Sequence, residues 1–274
     1  MLILFLCIIC STMNYAQEKE PTFIYENFTI NNTYALFGDN VKLRAEPNTS
    51  SEVVTIVRIG EEITILKKTN EFLESATSKS AWYEVKYKNK KGFLAGKFIA
   101  NTHKKSGNEH FYFRKYTNTQ QGVLYTRIVH NETTKAYTES TLKLMNENIG
   151  VTFKDANDLK NVLQIVEVNY YGDSCGEESG KTVLFLNDAY KLIKVADLSE
   201  IGDGGVYGLS ENFTYTYDEG NGKPVILFTK NESETVDENG LWTESRTIKR
   251  YFTWNGTKLV PEFSKEFYDP KKEN

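Results

Sequence analysis

The chain has 274 residues, 39% hydrophobic and 13% aromatic, so it can bury a sizeable core and is not expected to be disordered. Its net charge of −4 comes from 33 basic and 37 acidic residues that are interspersed along the sequence. Phosphate contacts need clustered lysines and arginines, so nucleic acid is not an expected partner. With 17 Tyr and 16 Phe but only 5 Pro, the composition favours strands.

The first sixteen residues carry no charged side chain, and Leu2 to Cys10 form an apolar run as long as the core of a signal peptide. The run is too short to span a bilayer as a helix, although the positive residues that usually precede such a run are missing. We therefore expect a signal peptide at residues 1–16, cleaved after Ala16. The mature chain would be exported to the periplasm or the extracellular space, with no transmembrane span left.

The three cysteines bear on lipid anchoring and on disulfides. Cys7 and Cys10 follow Phe-Leu and Ile-Ile rather than the small residues that precede a lipid-modified cysteine, so a lipoprotein anchor is disfavoured. The mature chain keeps only Cys175 and is expected to contain no internal disulfide.

After a polar lead-in at residues 17–33, residues 34–101 form short segments in which apolar and polar side chains alternate between turn residues. Such alternation indicates strands with one buried face. Five or six strands in a segment of about 65 residues predict a small barrel. The polar segment 67–80 is predicted as a loop. Nine side chains are expected to fill the barrel: Val41, Leu43, Val54, Ile56, Ile63, Ile65, Tyr83, Val85 and Phe93.

Residues 41–47, Val-Lys-Leu-Arg-Ala-Glu-Pro, are similar to the V-x-V-R-x-x-P opening of bacterial SH3 (SH3b) domains. The turn glycine Gly60, the W-Y-x-V strand from Trp82 to Val85 and a closing strand after Gly92 follow in the family's order. Phe93 stands where the family usually has Trp. The segment thus resembles an SH3b domain, which implies an SH3-like barrel that docks cell-wall glycan or peptide, or an envelope protein.

Aromatic and basic side chains of the barrel are candidates for ligand contacts in its groove: Tyr34, Arg44, Trp82, Tyr83 and Phe93. Trp82 has two interpretations, a groove aromatic that stacks on a ligand or a half-buried packing residue at a strand start. The second is favoured, because single aromatic residues more often serve packing.

Residues 102–108 are short, polar and free of large apolar groups, as linkers usually are, so a domain boundary is placed there. Residues 109–269 again alternate, and residues 270–274 form a tail. About ten to twelve antiparallel strands suit a sandwich or a large curved meander. The predicted fold is therefore all-β, a small SH3-like barrel followed by a larger antiparallel β domain.

Turn residues predict hairpins at Asn187-Asp188 and at residues 219–222, 238–240 and 255–256. The last, Asn255-Gly256, has the sequence of a two-residue type I′ turn. Only residues 155–163 are predicted as a short helix, with Asp155 as its N-cap.

Residues 172–176, Gly-Asp-Ser-Cys-Gly, match the G-x-S-x-G pattern of serine hydrolases. In α/β-hydrolases the base follows the nucleophile, whereas His103, His110 and His130 all precede Ser174. Cysteine peptidases of the NlpC type, which often accompany SH3b domains, also need a later histidine, so Cys175 lacks its base. We expect this segment to be a glycine-rich acidic turn.

Metal and carboxylate chemistry is only weakly indicated. One mature cysteine and three dispersed histidines do not have the spacing of a zinc site. Asp173, Glu177 and Asp203 are weak calcium candidates, because they place carboxylates at two turns. Paired carboxylates for glycoside hydrolysis need only the right separation in space, so no pair is nominated. No cofactor is expected.

The leading hypothesis from the sequence is a non-enzymatic, exported cell-envelope protein whose barrel docks peptidoglycan or an envelope protein. One alternative is an envelope carbohydrate hydrolase with a carboxylate site in the larger domain. A second alternative is a structural secreted protein in which the barrel is a spacer.

Overall fold

The structure is a computed structural model that describes residues 20–25, 27–75, 78–117, 122–237 and 242–264. Within these residues the chain contains strands and turns, one 3₁₀ turn, η1 (Gly96–Phe98), and no α-helix, which confirms the all-β fold. The strands are β1 (Thr22–Phe23), β2 (Thr33–Ala35), β3 (Val41–Arg44), β4 (Val53–Val57), β5 (Glu62–Ser75), β6 (Ser78–Tyr87), β7 (Lys90–Ala95), β8 (Thr102–Ser106), β9 (Glu109–Thr117), β10 (Gly122–Asn131), β11 (Ala136–Lys143), β12 (Ile149–Lys154), β13 (Val162–Tyr170), β14 (Ser179–Asn187), β15 (Leu192–Asp203), β16 (Tyr207–Tyr217), β17 (Pro224–Thr235), β18 (Thr243–Trp254) and β19 (Leu259–Val260).

The first sheet is a curled half-barrel of six strands in the order β2-β5-β6-β7-β3-β4. Strands β2 and β4 are its two edges and are not hydrogen-bonded to each other. Its interior is a cluster of buried side chains from strands β3 to β7 and the flanking segments: Leu36, Val41, Leu43, Val57, Ile63, Ile65, Tyr83, Val85, Tyr87, Leu94 and Ile99.

Two of the nine predicted core residues of the half-barrel do not point inward. Ile56 is 44% exposed while its neighbour Val57 is fully buried, because β4 has an irregular register against β3 that shifts its alternation. Phe93 is only partly buried, and the inward position of β7 belongs to Leu94. A shift of one residue in register exchanges the faces of a strand, which alternation alone does not fix.

Residues 67–75 and 78–80 of the segment predicted as a loop instead extend strands β5 and β6 into a long two-stranded ribbon. Phe72 pairs with Ala81 and Glu74 with Lys79 along this ribbon. Phe72 is 45% exposed, and Lys79 lies over its ring. A ribbon that leaves both faces partly in water does not show the apolar alternation of a half-buried strand.

The predicted linker 102–108 is also a strand. Residues 102–106 form β8, which pairs with β9 and opens a four-stranded sheet in the order β11-β10-β9-β8. This sheet packs directly against the half-barrel through a small shared core: Phe37, Ile59, Ala100, Tyr112 and Val129. Strand β8 has the sequence Thr-His-Lys-Lys-Ser and contains no apolar residue, which is why the segment resembles a linker in sequence.

The third sheet has nine strands in the order β1-β12-β13-β14-β15-β16-β17-β18-β19, so it is a meander with β1 added at one edge. One face of its first strands packs on the four-stranded sheet, as in a sandwich. The buried side chains between them include Phe111, Phe113, Phe153, Val166 and Leu184.

The nine-stranded sheet folds over on itself. Strand β15 pairs with β16 only between residues 200–203 and 207–210, so the strands on either side diverge and enclose a second core. That core includes Ile165 and Phe185 from one half of the sheet and Phe213, Phe228 and Phe252 from the other. Strands β13 and β14 are therefore buried on both faces.

Two local predictions in the larger sheet are wrong. Residues 155–161 form consecutive turns rather than a helix, and Asn157, Asp158 and Asn161 have positive φ values. The β18–β19 connection has four residues rather than two, since Trp254 pairs with Leu259. The side chain of Asn255 accepts hydrogen bonds from the amides of Thr257 and Lys258, and this longer Asx-type turn replaces the type I′ turn.

The predicted signal peptide at residues 1–16, the turn at 238–240 and the tail at 270–274 lie outside the described residues. In the part of the chain that the structure describes, no helix has the length and apolar character needed to cross a membrane.

Candidate binding groove

A groove with a volume of about 260 Å³ lies on the outer side of the half-barrel, where the β2–β3 loop, β3, the β3–β4 turn, the β5–β6 ribbon and η1 meet. Two of the predicted site residues, Arg44 and Trp82, line it together. The other lining residues are Asp39, Asn40, Val41, Lys42, Thr49, Leu73, Ala95 and Phe98.

The floor of the groove is apolar. Trp82 is only 3% exposed and pairs with Ala95 across β6 and β7, on the face opposite to Tyr83. Trp82 is therefore a packing residue, and its buried ring also forms part of the groove wall. The side chain does not project into solvent as a free stacking platform.

Arg44 gives the groove a positive rim. Its Nη1 donates a hydrogen bond to the carbonyl oxygen of Ser51 at 2.6 Å, which holds the guanidinium against the β3–β4 turn. That turn is ordered by Asn48, whose side-chain oxygen accepts hydrogen bonds from the amides of Ser50 and Ser51. Lys42 lies two residues earlier on β3 and is exposed.

Asp39 is the one acidic side chain in the groove wall, and its charge is already compensated. Arg58 binds it through two hydrogen bonds, Nε to Oδ1 at 2.6 Å and Nη2 to Oδ2 at 3.2 Å, and the amide of Ile59 donates to Oδ1 at 3.0 Å. Burial raises the pKa of Asp39, but these hydrogen bonds and the Arg58 charge more than offset it, so the pKa is lowered overall. The lysine and arginine on β3 therefore dominate the potential at the groove.

Tyr34 and Tyr83 lie elsewhere, in an aromatic cluster around Phe28. Both rings meet Phe28 edge-on, with centroid distances of 5.1 Å for Tyr34 and 5.4 Å for Tyr83. Burial raises the pKa of Tyr83, and the hydroxyl oxygen of Tyr34 accepts a hydrogen bond from the amide of Thr29. Phe93, the fifth predicted residue, pairs with Glu84 and Arg44 and does not line the groove.

Several groove residues were not predicted. Lys42 lies within the family-like motif and Asp39 two residues before it, and alternation places Lys42 outside the core on the same strand as Arg44. Leu73 and Phe98 reach the groove from the ribbon and from η1, and nothing in their local sequence indicates that contact.

The residues of the G-x-S-x-G match form the turn between β13 and β14, as the sequence predicts. Cys175 is exposed, and the amide of Asp173 donates to the carboxylate of Glu177. The histidines lie on β8, β9 and β10, where their rings contact Tyr112 and Tyr190.

For the weak calcium candidates, the described residues contain no group of three or more His, Cys, Asp and Glu side chains placed to hold a metal ion. Asp173 instead accepts a hydrogen bond from the side chain of Asn148, and Glu178 accepts one from the hydroxyl of Ser199. The acidic residues of this turn are thus used in local hydrogen bonds.

Comparison with known families agrees with the geometry. Residues 39–100 match the family model of the bacterial SH3 domain, and every residue that lines the groove falls within the matched segment. The resemblance found in the sequence is thereby confirmed for this part of the chain, and no family model matches the C-terminal region. No curated protein and no solved structure matches the chain significantly. A bacterial SH3 domain suggests a module that binds the cell wall or peptidoglycan.

Proposed function

We propose that this protein is a non-enzymatic, exported protein of the cell envelope, and that the groove on its half-barrel binds peptidoglycan through the peptide part of the polymer. The observation that carries the proposal is that Arg44 and Trp82 line the same groove, within the segment that matches the bacterial SH3 domain. Exported location and lack of catalysis are parts of the proposal and rest on the sequence argument.

The chemistry of the groove favours a peptide with free carboxylates. An apolar floor from Trp82, Ala95 and Phe98 suits small aliphatic side chains, and the Lys42 and Arg44 rim suits a carboxylate. Asp39 does not oppose an anion, since Arg58 already binds it at 2.6 Å. A volume of about 260 Å³ is near the lower end for small-ligand pockets, which fits a short peptide segment rather than a whole glycan chain.

The test is co-sedimentation of the full chain with purified sacculi. We expect retention of the native protein and a loss of affinity of about tenfold or more for the double variant Lys42→Gln, Arg44→Gln, because a hydrogen bond to a charged group contributes about 1.5–3 kcal/mol. Added salt should weaken the native interaction in the same direction. Trp82 is unsuitable as a first probe, since replacing a buried indole also destabilises the sheet.

The matched control is Lys86→Gln with Lys91→Gln, which removes two positive charges from the half-barrel outside the groove. Equal loss in the two double variants would show non-specific charge attraction and reject the groove as the site. No retention of the native chain would reject peptidoglycan binding and favour the alternative in which the half-barrel is a spacer.

A further inference from the structure

The three histidines of the chain all lie on the four-stranded sheet, and two of them form a defined pair. His103 on β8 is opposite Tyr112, and His110 on β9 is opposite Lys105. The two histidines are therefore diagonal neighbours on one face of the β8–β9 hairpin, an arrangement in which long side chains on adjacent strands meet.

The imidazole rings of this pair face each other through their nitrogen atoms. Nε2 of His103 lies 3.0 Å from Nδ1 of His110, and the ring planes differ by only 2°. The other nitrogen of His110, Nε2, lies 3.3 Å from Oε1 of Glu132. A carboxylate at Nε2 keeps the His110 proton on that atom, so the lone pair of Nδ1 points toward His103.

Both rings are held in place by neighbouring groups. His103 stacks on Tyr112 with a centroid distance of 4.6 Å, and Tyr112 is itself only 2% exposed. Lys135 binds Glu132 at 2.5 Å and fixes the carboxylate behind His110. Imidazole side chains ordinarily titrate near a pKa of about 6.5, so the neutral form prevails above that pH. A neutral imidazole is the form that binds metal ions.

We propose that Nε2 of His103 and Nδ1 of His110 together chelate one divalent transition-metal ion of the copper(II) or nickel(II) class, with water completing the coordination. At metal–nitrogen distances of about 2.0–2.1 Å, the observed nitrogen separation corresponds to an N–metal–N angle of about 95°. Tetragonal copper(II) and nickel(II) sites place neighbouring ligands at about 90°.

The protons balance without another reactant. In the tautomer that Glu132 favours, with the His110 proton on Nε2, the nitrogen–nitrogen hydrogen bond is donated by Nε2 of His103. When the metal takes the Nε2 lone pair, the proton of His103 moves to its own Nδ1 through solvent, and both rings stay neutral. His103 is exposed, which gives the ion a path to the site.

Titration of the full chain with copper(II) in a non-coordinating buffer at pH 7.5 tests the proposal. We expect one equivalent to bind by calorimetry, with electron paramagnetic resonance showing two coordinated nitrogens. His103→Gln and His110→Gln should each weaken binding more than tenfold. Glu132→Gln should weaken it by about tenfold, since outer carboxylates typically contribute 10–100-fold. His130→Gln is the matched control, because the His130 ring is engaged in stacking on Tyr190 with a centroid distance of 4.2 Å, and it should leave binding unchanged.

Unchanged copper affinity in the double variant His103→Gln, His110→Gln would overturn the site. A measurement on the native chain covers the case in which a variant misfolds. Copper(II) is paramagnetic, so the ring resonances of His103 and His110 should broaden at lower sub-stoichiometric metal than those of His130. Equal broadening of all three histidines would also overturn the proposal.

Discussion

Arg127 on β10 donates a hydrogen bond from Nη1 to the carbonyl oxygen of Phe37 at 2.8 Å, and so joins the four-stranded sheet to the half-barrel. The same guanidinium lies 4.5 Å from the ring centroid of Phe37 and 4.8 Å from that of Tyr137. Glu139 binds its Nε at 2.6 Å. The half-barrel and the four-stranded sheet, between which a linker was predicted, are therefore joined by packing and by a hydrogen bond.

The first prediction concerns this junction. Arg127→Met keeps the aliphatic stem but removes the hydrogen bond to Phe37 and the charge between the two rings. We expect the free energy of unfolding to fall by about 2–3 kcal/mol, from one charge-assisted hydrogen bond and the cation–π contacts. Urea denaturation measures this loss of unfolding free energy. Arg246→Met, at an exposed position of β18, should change stability by less than about 0.5 kcal/mol, and equal losses would contradict the structural role of Arg127.

Gly60 tests the same junction from the half-barrel side. It has a φ of +79°, and a Cβ atom there would collide with the hydroxyl of Tyr112 on β9. Gly60→Ala therefore combines a left-handed backbone cost of about 1–2 kcal/mol with displacement of a buried ring. We expect a loss of more than about 2 kcal/mol in chemical denaturation. Gly202→Ala is the control, since nothing lies within 4 Å of its Cβ position, and it should be nearly neutral.

Local sequence patterns predict the half-barrel but not its junction with the four-stranded sheet. The motif around Arg44 and Trp82 identified the half-barrel and two groove residues, because alternation and turn chemistry are local signals. The junction was missed because Tyr112 and Arg127 make their decisive contacts with Gly60 and Phe37, which are distant in the chain. No periodicity in β8 indicates that its neighbours bury a shared core.

The larger sheet shows the same division. Strand β14 contains the apolar run Val183 to Leu186, because a strand buried on both faces shows no alternation. Leu184 faces one core and Phe185 faces the other. This arrangement arises because the sheet folds over on itself where β15 pairs with β16 over only four residues. The sequence predicted a sandwich or a meander, and the structure combines the two.

Asp39 gives the chain a specific pH dependence. Its pKa is lowered from the ordinary value of 3.8 in the folded state, so the unfolded chain binds the proton more readily. The resulting stabilisation is fully present above pH 3.8, and it is lost as the pH falls through the lower folded-state pKa. We expect Asp39→Asn to flatten the dependence of the unfolding free energy on pH below about 4. The exposed Asp188→Asn should leave that slope as in the native chain, and a slope unchanged in Asp39→Asn would contradict the role of the Arg58 pair.

Glu167 is a buried charge whose removal should be more costly than that of any exposed ion pair. It is 2% exposed on β13, and its two oxygens lie 3.2 Å from Lys154 Nζ and 3.6 Å from Lys181 Nζ. Glu167→Gln removes the anion that both partly buried ammonium groups contact, so we expect the free energy of unfolding to fall by about 3 kcal/mol. This value is near the lower limit for breaking a buried ion pair, because both lysines keep some contact with water. Thermal and urea unfolding measure the loss. Glu262→Gln removes an exposed partner of Lys258 and should cost less than about 0.5 kcal/mol. Comparable losses in the two variants would show that the Glu167 carboxylate exchanges its lysine contacts for water at little cost.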